Sequence, residues 1–244
     1  MDFSLNPSLD SVGLAESFRE HGHVQIQDFL AHDQAALLLS HLRQRDDWLL
    51  VINQGERLFE IDRSTQKTMP EEVAGRLELA VQKGARAGFQ FRYETIRVSD
   101  DESARSNGDD PLNRFARFLA SRPVLELMQR VTGDQAIDFA DAQATAYGPG
   151  HFLTEHDDDV AGKSRRAAYV FNLTPDWRMD WGGLLQFRGP DGDVERAYVP
   201  RFNVLNLFKV PAPHSVSYVA PCVPYRRYSI TGWLRALNSS TEIP

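Results

Sequence analysis

Of the seven histidines in this 244-residue chain, His156 alone is followed two positions later by a carboxylate, in His156-Asp157-Asp158. Successive side chains on a strand point to opposite faces, so in an extended HFLTEHDDD run His156 and Asp158 project together and Asp157 points away. His214, which opens a later strand-like run, adds a second imidazole. Two histidines and one carboxylate can cap three adjacent vertices of an octahedron and leave three for substrates and dioxygen, the ligand pattern of non-heme Fe(II) chemistry. Zn(II) accepts the same donor types and would point to hydrolysis instead. A lone His-x-Asp recurs by chance, so the spacing does not decide the matter alone.

The neighbouring runs add weight to the redox reading. Period-2 alternation in RRYSITGW places Arg227, Ser229, Thr231 and Trp233 on one face, and in AQATAY it places Gln143, Thr145 and Tyr147 on one face. An arginine turned into a core is costly unless an anion meets it, and a guanidinium holds a carboxylate by two parallel hydrogen bonds. Arg227, Ser229 and Tyr147 beside His156, Asp158 and His214 therefore describe a pocket for a small dicarboxylate next to a metal. The hydrolytic alternative lacks a separate base and leaves Arg227 without a task.

Other residues capable of chemistry have plainer readings. His21 and His23 fall at a helix-to-strand junction and read as structural, and His41, on a leucine-rich helix, reads as a face or boundary residue. His151 either lines a pocket mouth or is exposed. Cys222, the single cysteine, excludes an intrachain disulfide and has no partner that would make it a nucleophile. Asp157 and Asp159 point outward or shape a turn. Gly182-Gly183 reads as a turn before a strand, since nothing after it resembles a phosphate loop. Phe89, Phe91 and Tyr93 alternate like a strand face, read first as core and second as a pocket wall.

The elements that must hold these groups fall into two parts. Residues 1–133 are helix-rich, with helices expected at Ser11–His21, from an Asp33 N-cap through Leu42, from Pro70 to about Gly84, and over 112–120 and 123–131. Short strands are expected at 23–30, as a pair around Gln54-Gly55, and from Phe89 to Val98. The stretch 99–111 is expected to be a solvated loop without a core position, with a lid as its functional reading. Over 134–237 the chain breaks into eight β-branched and aromatic runs divided by Gly, Pro and Asp, which predicts an antiparallel sandwich or jelly roll. The two parts are read as a single catalytic domain, 1–244.

With 27 Lys+Arg against 34 Asp+Glu the net charge is −7, which disfavours nucleic acid as a bulk electrostatic partner and leaves a basic protein as a fitting one. No run of apolar residues is long enough to span a membrane, and the first residues lack a basic, then apolar, leader pattern, so a cytoplasmic location is expected. No feature demands a particular oligomeric state.

Four stretches, YGPGHFLTEHDDD (147–159), FNLTPDW with WGGLLQF (171–187), FNVLNLFKVPAPHSV (202–216) and RYSITGW (227–233), resemble the 2-oxoglutarate and Fe(II)-dependent dioxygenases of the prolyl-hydroxylase branch. The likeness is strongest to ribosomal-protein prolyl hydroxylases and weaker to hypoxia-factor prolyl hydroxylases. It implies an α+β fold with a mainly β core, a double-stranded β-helix (jelly roll) with N-terminal helices packed on it. It also implies iron ligation by His156, Asp158 and His214, and a cosubstrate carboxylate held by Arg227 and Tyr147, with Ser229 beside them. Trp233 matches an aromatic with a packing role. The implied cofactors are Fe(II), 2-oxoglutarate and O2, with ascorbate as a reductant. The implied reaction is C–H hydroxylation of a prolyl residue in a protein, ribosomal or otherwise basic, with release of succinate and CO2. A free amino acid or other small molecule as substrate, or an iron and 2-oxoglutarate sensor without turnover, are the alternatives. The chain departs from the family pattern in a longer interval from His214 to Arg227, in Arg226 standing beside Arg227, and in Asn172 where some members carry a cosubstrate-reaching tyrosine.

Overall fold

The computed structural model describes residues 3–31, 33–106 and 109–237. Helix α1 (Ser11–His21) opens on Asp10, whose carboxylate accepts from the Val12 and Gly13 amides, and closes on Gly22 at φ 71, a conformation a side chain would resist. There follow strand β1 (His23–Ile26), helix α2 (Gln34–Gln44), the hairpin β2 (Leu49–Gln54) and β3 (Arg57–Asp62), helices α3 (Arg63–Thr68) and α4 (Glu71–Ala87), strand β4 (Phe91–Arg97), and helices α5 (Glu102–Ser106), α6 (Pro111–Leu119) and α7 (Arg122–Thr132). After Gly133 come β5 (Phe139–Ala140), β6 (Gln143–Tyr147), β7 (Phe152–His156), β8 (Arg165–Asn172), a 3-10 turn at Met179–Trp181, β9 (Leu185–Arg188), β10 (Val194–Tyr198), β11 (Val204–Lys209), β12 (His214–Val216) and β13 (Arg227–Arg235). The eight strand runs expected after residue 133 are the strands β6 to β13.

These strands form one curled antiparallel sheet, in the order β1-β11-β8-β13-β6-β4-β7-β12-β9-β10, with β2 and β3 joined through β4 and β5 through β13. The first part of the chain thus contributes β1 to one end of the sheet and β4 to its middle. The architecture is the jelly-roll type with helices laid on one face. Alternation decides which face. Ala144 and Ala146 on β6 and Tyr228 and Ile230 on β13 join one core with Phe18, Leu38, Leu42, Phe115 and Leu127 from the helices. The alanines let the helices approach closely, and each large apolar side chain so buried contributes roughly 1.5–3 kcal/mol. The opposite face of the same two strands carries Thr145, Tyr147, Arg227 and Trp233 and is curled into a cavity.

Two expectations are corrected. The stretch 99–111 is not wholly solvated: α5 forms there, and Arg105 is buried because its guanidinium donates to the carbonyls of Ser99 and Ala140 at 2.5 and 3.2 Å and lies over the Phe139 ring. The described residues of this stretch do not line the cavity, so they form no lid over it. The second concerns β7, which ends at His156, so Asp158 is not a strand residue. No helix among the described residues is long and apolar enough to cross a membrane.

Candidate metal centre and anion pocket

Strands β7 and β12 pair antiparallel with His156 directly opposite His214, which brings their ring centroids to 4.1 Å. Beyond His156 the chain turns sharply, with Asp158 at φ 66, and this turn, not strand alternation, returns the Asp158 carboxylate to the two rings. Its oxygens lie 3.4 Å from His156 Nε2 and 3.4 Å from His214 Nε2. One donor atom from each of the three residues falls within 4.8 Å of the others.

The tautomers follow from the backbone. His156 Nδ1 meets the Thr154 carbonyl at 3.0 Å and His214 Nδ1 meets the Ala212 carbonyl at 2.8 Å. A carbonyl only accepts, so in the neutral rings both Nδ1 atoms carry the hydrogen and both Nε2 atoms turn a lone pair toward the carboxylate. Burial opposes ionisation of Asp158, but the two imidazoles beside it outweigh that effect and hold its pKa below the usual carboxylate value. Burial, with His156 beside it, keeps His214 below its ordinary pKa. Two lone pairs converging on a carboxylate repel unless a cation lies among them, so this donor set fits a divalent metal.

The cavity that runs inward from these groups has a volume of about 370 Å³ and ends at Arg227. Arg227 is 1% exposed, donates from Nη1 to the Gly183 carbonyl at 2.9 Å and from Nη2 to Asn172 Oδ1 at 3.2 Å, and lies over the Tyr147 ring. Its Nε has no partner among the described residues. With only neutral groups around it, burial pushes its pKa down to about 10. A buried guanidinium with an unused N–H and no carboxylate against it among the described residues fits the far carboxylate of 2-oxoglutarate. Gly182 and Gly183, at φ 67 and 63, turn the Gly183 carbonyl onto the guanidinium, and a side chain at Gly182 would run into the Tyr218 carbonyl. Asn172, in the place of the tyrosine some family members carry, acts on the arginine by holding it.

Each of the other singled-out residues has a definite place. Arg226 turns to the opposite face, where it meets fully buried Glu94 at 2.8 Å, so it leaves the cavity to Arg227. Ser229 lies behind the cavity wall with its hydroxyl 2.9 Å from that of Thr145. Phe89, Phe91 and Tyr93 line the cavity and, with Tyr147, form a series of rings spaced 5.7, 5.6 and 5.2 Å, so the wall reading holds for them. Phe89, 49% exposed, sits at the mouth 5.5 Å from His156. His151 is neither at the mouth nor exposed: it is buried, its Nδ1 accepts from the Gly148 amide, and burial lowers its pKa to about 4. His23 is paired with the Tyr198 hydroxyl and His41 with Asp110, as structural groups are, and Cys222 is exposed.

Sequence reasoning missed Arg165. Its guanidinium lies 3.5 Å over the Trp233 ring, donates to the Asp158 carbonyl at 3.0 Å and lines the cavity. A bulge explains the miss: one step on β13, Leu234 to Arg235, faces two steps on β8, Ala167 to Arg165. The extra residue turns Arg165 off the face that period-2 counting assigns to it.

Residues 142–235 match the family described as the 2OG-Fe(II) oxygenase superfamily. The chain is 30% identical over 160 residues to the prolyl 3-hydroxylase OGFOD1 of Xenopus laevis, covering 62% of this chain and 29% of that protein. It is 26% identical over 152 residues to the Mus musculus prolyl 3-hydroxylase OGFOD1, covering 59% and 27%. The chain therefore spans under a third of the length of these curated relatives. Among solved structures, the Pseudomonas putida prolyl-4-hydroxylase superposes with a TM-score of 0.58 at 18% identity over 92% of this chain and 98% of that one. The Trichoplax adhaerens prolyl hydroxylase, in complex with a hypoxia-inducible-factor peptide fragment, gives 0.61 at 18% identity over 93% and 89%. These likenesses show a shared fold. The converging donor set of His156, Asp158 and His214 falls within the residues, 142–235, that match this family.

Proposed function

We propose that the chain is an Fe(II)- and 2-oxoglutarate-dependent dioxygenase that hydroxylates a prolyl residue of a protein substrate. The observation that carries this reading is the pairing of a two-histidine, one-carboxylate set with a buried, unneutralised Arg227 at the two ends of one cavity. His156, Asp158 and His214 would hold the metal through Nε2, a carboxylate oxygen and Nε2, with the Nδ1 hydrogen bonds fixing both rings. Arg227 would pair the distal carboxylate of 2-oxoglutarate, oriented by Gly183 and Asn172, while Tyr147 and Tyr93 exclude water beside it. Bound Fe(II) and 2-oxoglutarate would supply the oxidising power, with one oxygen atom of O2 going to succinate, formed with loss of CO2, and the other into the substrate C–H bond as a hydroxyl. The chain's own part is to hold the reactants in line, with the half-exposed Phe89 ring at the mouth beside His156 as an apolar contact for a prolyl ring. A polypeptide substrate is supported by the names of the curated relatives and by the peptide bound to the Trichoplax adhaerens structure. The net charge of −7 favours a partner that is basic overall.

The test is succinate formation from 2-oxoglutarate by the purified chain in air with added Fe(II), comparing wild type with His214→Ala. Turnover in the wild type alone is expected, with proline peptides gaining about one oxygen atom in mass. Turnover that survives His214→Ala, or failure of Fe(II) and 2-oxoglutarate to bind the wild type, would overturn the reading.

A further inference from the structure

A second hollow, of about 340 Å³, adjoins the cavity and shares Tyr93, Gln143, Arg165 and Trp233 with it. Its charged lining is four cations, Arg97, Lys163, Arg165 and Arg235, against two carboxylates, Asp100 and Asp141, on a chain that is acidic overall. Two of the cations are satisfied: Arg235 meets Asp100 at 2.9 Å and Asp141 at 3.8 Å, and Arg97 meets Glu60 at 2.8 Å. The other two lack a close carboxylate of their own, although Arg165 donates to the Asp158 carbonyl. Lys163 has no carboxylate within 4 Å among the described residues, and Arg165 has only that of Asp158, 3.9 Å away and already shared with two histidines. Arg165 is also half-buried against Trp233, where its attraction for an anion is less screened than at the open surface. By contrast, the exposed Asp157 and Asp159 at the cavity rim have no cation within 4 Å among the described residues. The mouth is thus acidic at its rim and basic in the adjoining hollow.

We propose that this hollow holds the carboxylate of an Asp or Glu side chain of the substrate polypeptide, between Lys163 and Arg165, when the neighbouring residue occupies the cavity. The inference rests on the polypeptide reading given above and deepens it. A partner that is basic overall would be selected for one acidic residue on the hollow's side of its reacting residue, and that residue would set the direction in which the chain crosses the mouth.

The experiment uses fluorescein-labelled proline peptides of one composition, with Glu before and Lys after the proline, the reverse order, or Lys on both sides. Binding to the full chain with Fe(II) and 2-oxoglutarate is read by anisotropy under nitrogen, and oxidation is read by mass in air. One Glu-containing order is expected to bind about tenfold to a hundredfold tighter than the all-Lys peptide, as a charge-assisted contact would give. The advantage should shrink with salt, drop in Lys163→Gln and reverse in Lys163→Glu; Lys163 is exposed, so neither change threatens folding. Equal binding of all three peptides, or an equal loss for all in Lys163→Glu, would overturn the proposal. Proline oxidised regardless of flanking charge would leave the hydroxylase reading standing and remove this one. Charge-selective binding without proline oxidation would do the opposite, and neither binding nor oxidation would remove both.

Discussion

Replacing Arg227 by methionine separates the arginine's cost to the fold from its use to the cosubstrate. Burial among neutral groups lowers the arginine pKa from 12.5 to about 10, which corresponds to about 3 kcal/mol against the charged form in the folded chain. Arg227→Met fills a similar volume and removes that cost, but it leaves the Gly183 carbonyl and Asn172 Oδ1 without their donor, at about 1–3 kcal/mol each. The two effects oppose one another, so stability should change by no more than about 3 kcal/mol and the chain should still fold. Binding has no such offset. Two charge-assisted hydrogen bonds to a carboxylate, at roughly 1.5–3 kcal/mol each, predict 2-oxoglutarate affinity weakened about 10²- to 10⁴-fold. The assay is thermal unfolding with Fe(II) under nitrogen, with and without 2-oxoglutarate at 100 times the wild-type Kd. The wild type should gain about 2.7 kcal/mol, or roughly 5–11 °C, and the variant at most about 0.4 kcal/mol, or roughly 1–2 °C. Equal ligand-induced shifts in the two proteins would refute the reasoning and place the cosubstrate carboxylate elsewhere.

Two further substitutions probe how the site is supported. His151 binds its proton more weakly in the folded chain, at about 4, than unfolded at 6.5, so the unfolded chain takes up a proton first as pH falls. Stability from this residue is whole above pH 6.5 and declines by about 3 kcal/mol toward pH 4. His151→Asn keeps an acceptor for the Gly148 amide and should flatten that part of a urea-stability profile; an unchanged slope would assign the acid sensitivity to other groups. Glu94, fully buried, is held below its usual carboxylate pKa by Arg63 and Arg226 against the opposing effect of burial. Glu94→Gln leaves two partly exposed cations facing a neutral amide and, with solvent screening them, should destabilise the fold by about 1–3 kcal/mol; no loss in urea titration would show the trio to be dispensable.

Much of the fold was readable because the period changes at Gly133 and because β6 and β13 alternate cleanly between small or apolar residues on the helix side and polar ones on the cavity side. Tyr228 and Ile230 against Arg227 and Thr231 illustrate it: four residues name two faces. Arg226 and Arg227 were harder, since adjacency hides which one turns inward until Glu94 is seen to claim the first. What stayed hidden depends on departures from regular backbone. A left-handed residue puts Asp158 beside the histidines, and a bulge brings Arg165 to the cavity. Neither leaves a signature in hydrophobic period. Arg105 shows the same limit from another side, for a residue type that reads as solvated becomes core when backbone carbonyls and a ring meet it.

The direct opposition of His156 and His214 across β7 and β12 bears on which length changes this chain can absorb. Extra residues at the exposed tip of the β9–β10 turn, Pro190 to Gly192, only enlarge a loop and leave both histidines where they are. An extra residue between Pro213 and Val216 has a different outcome, because β12 pairs with β9 as well as β7, and a slip of one position turns its side chains to the other face. Such an insertion would leave most of the core intact and still pull one imidazole out of the donor set. Descendants of this sequence can therefore vary freely in the size of that hairpin, while the few residues of β12 are fixed in number.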